Sequence, residues 1–194
     1  MATTFVLVRH GETDWNRERR FQGHADPPLN ATGRTQAREL AHALAGDSFA
    51  IAYSSPLQRS YETAEIVAGQ LGLDVLASSG LMEVDVGSWS GLTTTEAEAR
   101  FPDGFRRWQA NGSGWTDGET YDELGRRVVA ELFELAARHP EERVLAVTHG
   151  GPMRSVLAAA AGLPYESSRS EIAFIENCAI VQVAVRDGSI EAVD

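Results

Sequence analysis

Phe5-Val6-Leu7-Val8-Arg9-His10-Gly11-Glu12-Thr13-Asp14-Trp15-Asn16 decides how the rest of the chain is read. Four apolar residues in succession, Phe5 to Val8, predict a strand buried on both faces. The run ends in a guanidinium, an imidazole and a glycine. A cation and a nucleophile therefore stand at the C-terminal tip of a buried strand, the edge at which open α/β sheets bind ligands. Gly11 is expected to turn the backbone and to leave room beside the imidazole.

The rest of the chain supplies the frame that such a strand needs. Its 194 residues suffice for one domain, residues 1–194, with a full core. A hydrophobic fraction of 43% with 23% charged residues is that of a water-facing globular domain. The formal charge of −11 argues against nucleic acid or an anionic membrane surface as a partner. The single cysteine, Cys178, excludes an intrachain disulfide and reads as a small core residue. No apolar run approaches the roughly 20 residues of a membrane span. The N-terminus enters a strand without the basic start and cleavage site of a signal peptide, so a cytoplasmic location is expected. Monomer and homodimer remain equally open.

Strands alternate with helices along most of the length. After a loop over 11–29, Asn30 caps a helix with the stripe Ala37, Leu40, Ala41, Leu44, closed by Gly46. Phe49 to Tyr53 predict a second strand. Ser55 is placed as the next N-cap with Pro56 at the first helical position, before the stripe Leu57, Tyr61, Ala64, Ala68, Leu71. Arg59 falls off that stripe in the first turn, where the positive end of the helix dipole opposes a cation unless an anion is near. Asp74 to Ala77 fit a short strand, and 93–110 one or two short helices. Leu124, Val128, Leu132 and Leu135 predict an amphipathic helix over Tyr121 to Arg138. Val144 to Val147 form a buried strand ending in Thr148-His149-Gly150-Gly151, followed by a helix from Met153 to Ala161. Ala179 to Val185 alternate as a strand, and Asp187-Gly188 turns it into a final hairpin. The expected fold is a three-layer α/β/α sandwich. Its central sheet is mostly parallel, with an antiparallel strand near the C-terminus.

This arrangement brings three segments to one sheet edge: Arg9-His10-Gly11, the Arg59 turn and His149-Gly150-Gly151. Two arginines offer fixed forks of donors suited to a phosphate. A helix N-terminus after Gly150 offers free amides. A neutral imidazole can attack phosphorus, and Glu83 is a candidate acid for the leaving oxygen. Together His10 and His149 could ligate a metal, but no carboxylate or third histidine stands at ligand spacing.

These residues resemble the histidine phosphatase superfamily, in its phosphoglycerate-mutase-like branch. The resemblance runs from about Phe5 to about Val185 through Arg9-His10-Gly11-Glu12-Thr13, Asn16, Phe21-Gln22-Gly23, Asp26, Leu29-Asn30, Ser54-Ser55-Pro56-Leu57, Arg59, Glu83, Gly87, Trp89, Gly91, Gly118-Glu119-Thr120 and Thr148-His149-Gly150-Gly151. It implies that His10 is phosphorylated on the ring nitrogen far from the backbone. It implies that Arg9, Arg59 and His149 bind the phosphoryl oxygens. Asn16, Gln22, Gly23 and the Gly150 amide would line the same pocket. Glu83 would protonate the leaving oxygen and then activate water. No metal or other cofactor is implied, because cationic side chains neutralise the phosphate.

The expected activity is a metal-independent phosphomonoesterase acting on a small phosphorylated metabolite. A cofactor-dependent phosphoglycerate mutase uses the same groups, and a non-catalytic phosphate-binding module is the reading from another class. Residues 92–117 are expected to form a variable lid, with Phe105, Trp108 and Trp115 as its packing. Arg17, Arg19 and Arg20 read as a solvated run, although a second anionic group on the substrate could use one. His24, His42 and His139 read as surface residues.

Overall fold

A computed structural model describes residues 2–193. The opening strand, β1, is Thr3–Arg9, and Phe5, Val6, Leu7 and Val8 are all buried. The loop that follows is not featureless: it contains a single helical turn, α1 (Asp14–Arg17). A reciprocal capping box between Thr13 and Asn16 builds that turn. Helix α2 (Ala31–Ala43) is capped by Asn30 as expected, but it ends on Leu44 rather than at Gly46.

Strand β2 (Ile51–Ser54) leads to α3 (Gln58–Leu71), which begins later than the sequence suggested. Ser55 and Pro56 lie in the approach. The free Gln58 amide is satisfied instead by the Asp26 carboxylate, at 2.6 Å, from the preceding loop. Strand β3 (Val75–Ala77) is followed by 3₁₀ turns at Ser79–Leu81 and Gly87–Trp89. Residues 93–110 form two helices, α4 (Thr94–Arg100) and α5 (Pro102–Gln109). Helix α6 spans Tyr121–Arg138, with a Thr120–Glu123 capping box fixing its start.

Strand β4 (Arg143–Thr148) runs into α7 (Gly150–Ala160), with His149 as N-cap. The expected start at Met153 is corrected to Gly150. Pro152 suits a first turn because its missing N–H would have had no intrahelical partner. A 3₁₀ turn (Tyr165–Ser167) and α8 (Ser168–Glu171) then precede β5 (Ile180–Arg186) and β6 (Ser189–Val193).

The six strands form one sheet in the order β3-β2-β4-β1-β5-β6. The first four are parallel to one another, whereas β5 pairs antiparallel with both β1 and β6. Alternation along β1 assigns its side chains to two cores. Val6 and Val8 pack with Leu40 and Ala41 of α2 and Ala64, Val67 and Ala68 of α3. Phe5 and Leu7 face the opposite layer, with Leu124, Val128, Leu132 and Leu135 of α6 and Met153 and Val156 of α7. The result is the expected three-layer sandwich. Each fully buried large apolar side chain contributes roughly 1.5–3 kcal/mol by leaving water.

Two expectations about single residues change. Gly11 does not take a left-handed turn; a Cβ there would lie 2.5 Å from the Gly33 carbonyl oxygen. Its smallness serves the close approach of the α2 start and not the imidazole. His139 is not a surface residue: its Nδ1 donates to the Glu142 carboxylate at 2.8 Å and its Nε2 bonds the Tyr53 hydroxyl at 2.9 Å, away from the sheet edge that bears His10.

Candidate active site

The parallel strands β2, β4 and β1 end side by side, so their C-terminal residues converge. Arg9, His10, Asn16, Gln22, Gly23, Arg59 and Glu83 line one cavity of about 250 Å³. His149 packs beside it, its ring centroid 5.1 Å from that of His10. Of the glycines after β4, Gly151 stands in the cavity wall, while Gly150 lies next to the Arg9 side chain.

His10 is 2% exposed. Its Nδ1 lies 2.7 Å from the Gly11 carbonyl oxygen. A carbonyl only accepts, so Nδ1 carries the ring proton and Nε2 keeps its lone pair. Burial drives the His10 pKa well below the ordinary imidazole value, and the charges of Arg59 and Arg9 drive it further. The ring is therefore neutral at pH 7, with the nucleophilic electron pair on the nitrogen remote from the backbone.

His149 is held the other way round. The Ser55 hydroxyl accepts from the Leu57 amide at 3.3 Å, and its own proton is left for His149 Nε2, 2.8 Å away. Ser60 directs its proton to the Thr148 carbonyl and presents only its oxygen to the same ring nitrogen. The remaining ring proton then belongs on Nδ1, which is buried and has no partner in the protein. Burial, followed by the Arg59 charge, keeps this ring neutral too.

The arginines are anchored by part of their donors only. Arg59 is completely buried in the first turn of α3. It donates to the carbonyls of Ala25 (2.8 Å) and Gly23 (2.9 Å), and its Nε has no acceptor. Burial lowers its pKa to about 10, so it remains a cation at neutral pH. Arg9 donates to the Ile175 carbonyl at 2.6 Å, and its Nε is likewise without an acceptor. Phe174 covers Arg9, with the guanidinium carbon 5.0 Å from the ring centroid.

Asn16 has its amide oxygen occupied by the Thr13 amide (3.0 Å) and hydroxyl (3.1 Å), which leaves its NH₂ to face a ligand. Glu83 receives the Val84 amide at 2.9 Å on one oxygen and the Gly151 amide at 3.4 Å on the other. A Cβ at Gly151 would come 2.2 Å from a Glu83 carboxylate oxygen, so glycine there is what lets the carboxylate reach the α7 N-terminus.

Unpartnered donors on Arg9, Arg59 and His149, together with a lone pair on His10, define an electrophilic anion such as a phosphoryl group as the fitting occupant. Among the described residues no group of three His, Cys, Asp or Glu side chains is placed to hold a metal.

Several contributors escaped the sequence reading. Asn177 holds the His10 carbonyl at 2.8 Å, Ser55 orients His149, and Thr63 accepts the Gly11 amide at 3.0 Å. Ser55 carries a signal, a hydroxyl beside a sheet edge, but its place before Pro56 reads equally well as a helix cap. Residues 165–178 carried no periodic pattern at all.

Known proteins share this architecture. The chain is 37% identical over 160 residues to phosphoserine phosphatase 1 of Hydrogenobacter thermophilus, covering 81% of this chain and 76% of that one. It is 40% identical over 156 residues to phosphoglycerate mutase-like protein 4 of Arabidopsis thaliana, covering 78% and 68%. Its fold superposes on a mycobacterial glucosyl-3-phosphoglycerate phosphatase solved with VO3, with TM-score 0.86, 31% identity and 98% and 96% of the two chains covered. For Bacillus stearothermophilus YhfR the TM-score is 0.92, with 31% identity and coverage of 99% and 96%. A family profile matches residues 5–194, and with the site described above the chain belongs to the histidine phosphatase superfamily (branch 1).

Proposed function

We propose that His10 Nε2 is the nucleophile of this phosphatase and that the reaction runs through a phosphohistidine without a metal ion. The observation that carries the reading is the His10 ring: its proton is tied to Gly11, its opposite nitrogen is free, and two arginines flank it.

In the first step the Nε2 lone pair forms a bond to phosphorus as the bond from phosphorus to the leaving oxygen breaks. Glu83 acts as the acid that gives that oxygen its proton. Arg9 and Arg59 neutralise the charge on the phosphoryl oxygens, and the His149 Nδ1–H and the Asn16 NH₂ donate hydrogen bonds to them. Gln22, Gly23 and the Gly150 amide complete the phosphate cradle. In the second step Glu83, now a carboxylate, takes a proton from water as water bonds to phosphorus. The bond from phosphorus to nitrogen breaks and His10 is regenerated.

The substrate is a small phosphorylated metabolite, in keeping with relatives that include a phosphoserine phosphatase and a glucosyl-3-phosphoglycerate phosphatase. We assign the chain one catalytic domain with residues 92–117, which carry α4 and α5, as its cover. Trp89, just before that cover, anchors it by packing against Phe101, Phe105, Trp108 and Trp115. A cytoplasmic setting fits, and among the described residues no helix is long and apolar enough to cross a membrane.

The test is hydrolysis of p-nitrophenyl phosphate in excess EDTA by the wild type and by His10→Ala. Wild-type activity persists in chelator, and the variant retains less than about a hundredth of it. Loss of wild-type activity in EDTA, restored by a divalent ion, overturns the metal-free mechanism. Supplying 3-phosphoglycerate with a trace of 2,3-bisphosphoglycerate separates phosphatase from mutase. Inorganic phosphate forms faster than 2-phosphoglycerate if the short cover between Gly91 and Gly118 admits water to the phosphohistidine.

A further inference from the structure

We propose that Arg127, locked by Glu119, positions Glu83 by holding the main chain that presents its carboxyl group to the leaving oxygen. This rests on the reading of Glu83 as the acid and adds to it a positioning residue outside the phosphoryl cradle.

Glu83 stands where no ladder holds the backbone. Met82 to Val86 belong to no helix or strand and run between the 3₁₀ turns Ser79–Leu81 and Gly87–Trp89. The side chain has two bonds of its own, from the adjacent Val84 amide at 2.9 Å and from the Gly151 amide at 3.4 Å. The first travels with the segment and the second is long, so neither determines where the segment lies. Irregular chain packed against a helix leaves carbonyls that need donors. Arg127 of α6 supplies them. Its Nη1 donates to the carbonyls of Gly80 at 2.9 Å and Met82 at 3.1 Å, with that of Ser79 at 3.4 Å, and its Nη2 donates to the Glu83 carbonyl at 3.3 Å. The Thr148 hydroxyl donates to the intervening Leu81 carbonyl at 2.7 Å. One helical turn beyond Arg127, Glu131 accepts from the Ser78 hydroxyl at 2.7 Å.

A guanidinium that serves several carbonyls must be held in one plane, and Glu119 does this. Its two oxygens accept from Arg127 Nε at 2.8 Å and Nη2 at 2.7 Å, a bidentate fork that fixes orientation as well as distance. Glu119 also grips the other side of the acid, because its amide donates to the Asp85 carbonyl at 2.8 Å. Met82 and Asp85 are thereby tied to one ion pair, with Glu83 between them. His24 Nε2 meets the Glu83 carbonyl too, at 2.8 Å, and leaves the carbonyls before it to Arg127. The phosphoryl cradle is built from the ends of β1 and β4 and the first turn of α3. Among the described residues Arg127 donates to none of its members. Loss of Arg127 therefore moves the acid and spares the nucleophile and the cations, and a displacement on the order of 1 Å costs up to about 10²-fold in rate.

The experiment measures kcat/KM on phenyl phosphate and p-nitrophenyl phosphate, two esters of closely matched shape that differ in how much the leaving oxygen needs a proton. Arg127→Met slows the phenyl ester by roughly 10- to 10²-fold and the nitrophenyl ester by less than about threefold. A general loss of packing would slow both alike. In a Glu83→Gln background the same substitution adds less than about twofold on phenyl phosphate, because no acid remains to be placed. Arg127→Lys, which keeps the charge without the fork, recovers part of the phenyl ester rate. If Arg127→Met melts below the assay temperature, Glu119→Gln carries the test: it keeps the guanidinium, loosens its plane and shows the same selective loss. Equal losses on the two esters in the variant tested, or an undiminished loss in the Glu83→Gln background, overturn the inference and leave the phosphatase reading intact. Equal losses in Glu83→Gln itself overturn Glu83 as the acid, and absence of hydrolysis of both esters by the wild type overturns the phosphatase reading.

Discussion

The His10 and His149 rings stand 5.1 Å apart, centroid to centroid, tilted by 60°, and each has one nitrogen tied to the protein and one left untied. In the proposed mechanism the pair divides two tasks that a single imidazole cannot perform at once. His10 offers an electron pair, and His149 offers a proton.

That division depends on Ser55. Removing its hydroxyl leaves His149 Nε2 with only the Ser60 oxygen, an acceptor, and so favours the tautomer with the proton on Nε2. Nδ1 then presents a lone pair toward an anion. Ser55→Ala is expected to lower kcat on phosphomonoesters by roughly 10- to 10²-fold while changing the melting temperature little. Steady-state kinetics beside a thermal melt check it; wild-type kcat would show that Ser55 does not set the tautomer.

Glu83→Gln keeps the shape but removes the transferable proton. Substrates with poor leaving groups should slow by roughly 10² to 10⁴, and p-nitrophenyl phosphate much less, because its leaving group needs little protonation. Comparing alkyl and nitrophenyl esters gives the answer, and equal losses on both would exclude Glu83 as the acid of the first step.

Gly151→Ala tests the same carboxylate from the other side. The new methyl would meet the end of the flexible Glu83 side chain at 2.2 Å and a Leu124 methyl at 3.2 Å. The carboxylate can swing away, so stability changes by about 1 kcal/mol or less. Turnover of alkyl phosphates falls at least about tenfold, because the acid is displaced. A folded variant with unchanged turnover would mean that Glu83 works from a different position.

Stability should fall on acidification. Both His10 and His149 have folded-state pKa values depressed below the unfolded value, by burial first and by arginine charges second. Below about pH 6.5 the unfolded chain binds protons that the folded one refuses. The stability present above that pH is lost as pH falls toward the lowered folded pKa. Each ring adds a slope of up to about 1.4 kcal/mol per pH unit. Urea midpoints between pH 7.5 and 5.5 measure it, and His10→Asn should flatten the curve. Identical slopes in wild type and variant would count against a buried neutral His10.

Much of this site was legible because its residues sit where the hydrophobic pattern stops. Arg9 and His10 terminate an apolar run, and Arg59 is a cation in a first helical turn, so each position was odd enough to notice. Helix α6 was readable to its ends because its apolar stripe runs its whole length, and the Thr120–Glu123 capping box fixes the start that the stripe implies. The start of α7 was misread because Gly150, Gly151 and Pro152 look like helix breakers; the helix tolerates them in its first turn, where amides lack intrahelical partners. Asp26 as the cap of α3 was invisible because the contact spans 32 residues. Phe174 and Asn177 were missed because irregular chain carries no period, and only tertiary structure says what it lies against.

The grip of residues 175–178 on the first strand has a consequence for the order in which activity emerges. The Ile175 carbonyl holds the Arg9 side chain across a separation of 166 residues, Asn177 holds the His10 carbonyl, and the Cys178 amide bonds the Arg9 carbonyl at 2.9 Å. A ribosome-bound chain that has not yet released these residues already contains His10, Glu83 and His149, yet lacks the clasp that fixes Arg9 and His10. Such a nascent chain should be catalytically silent, and enzymatic competence should appear abruptly once β5 docks beside β1.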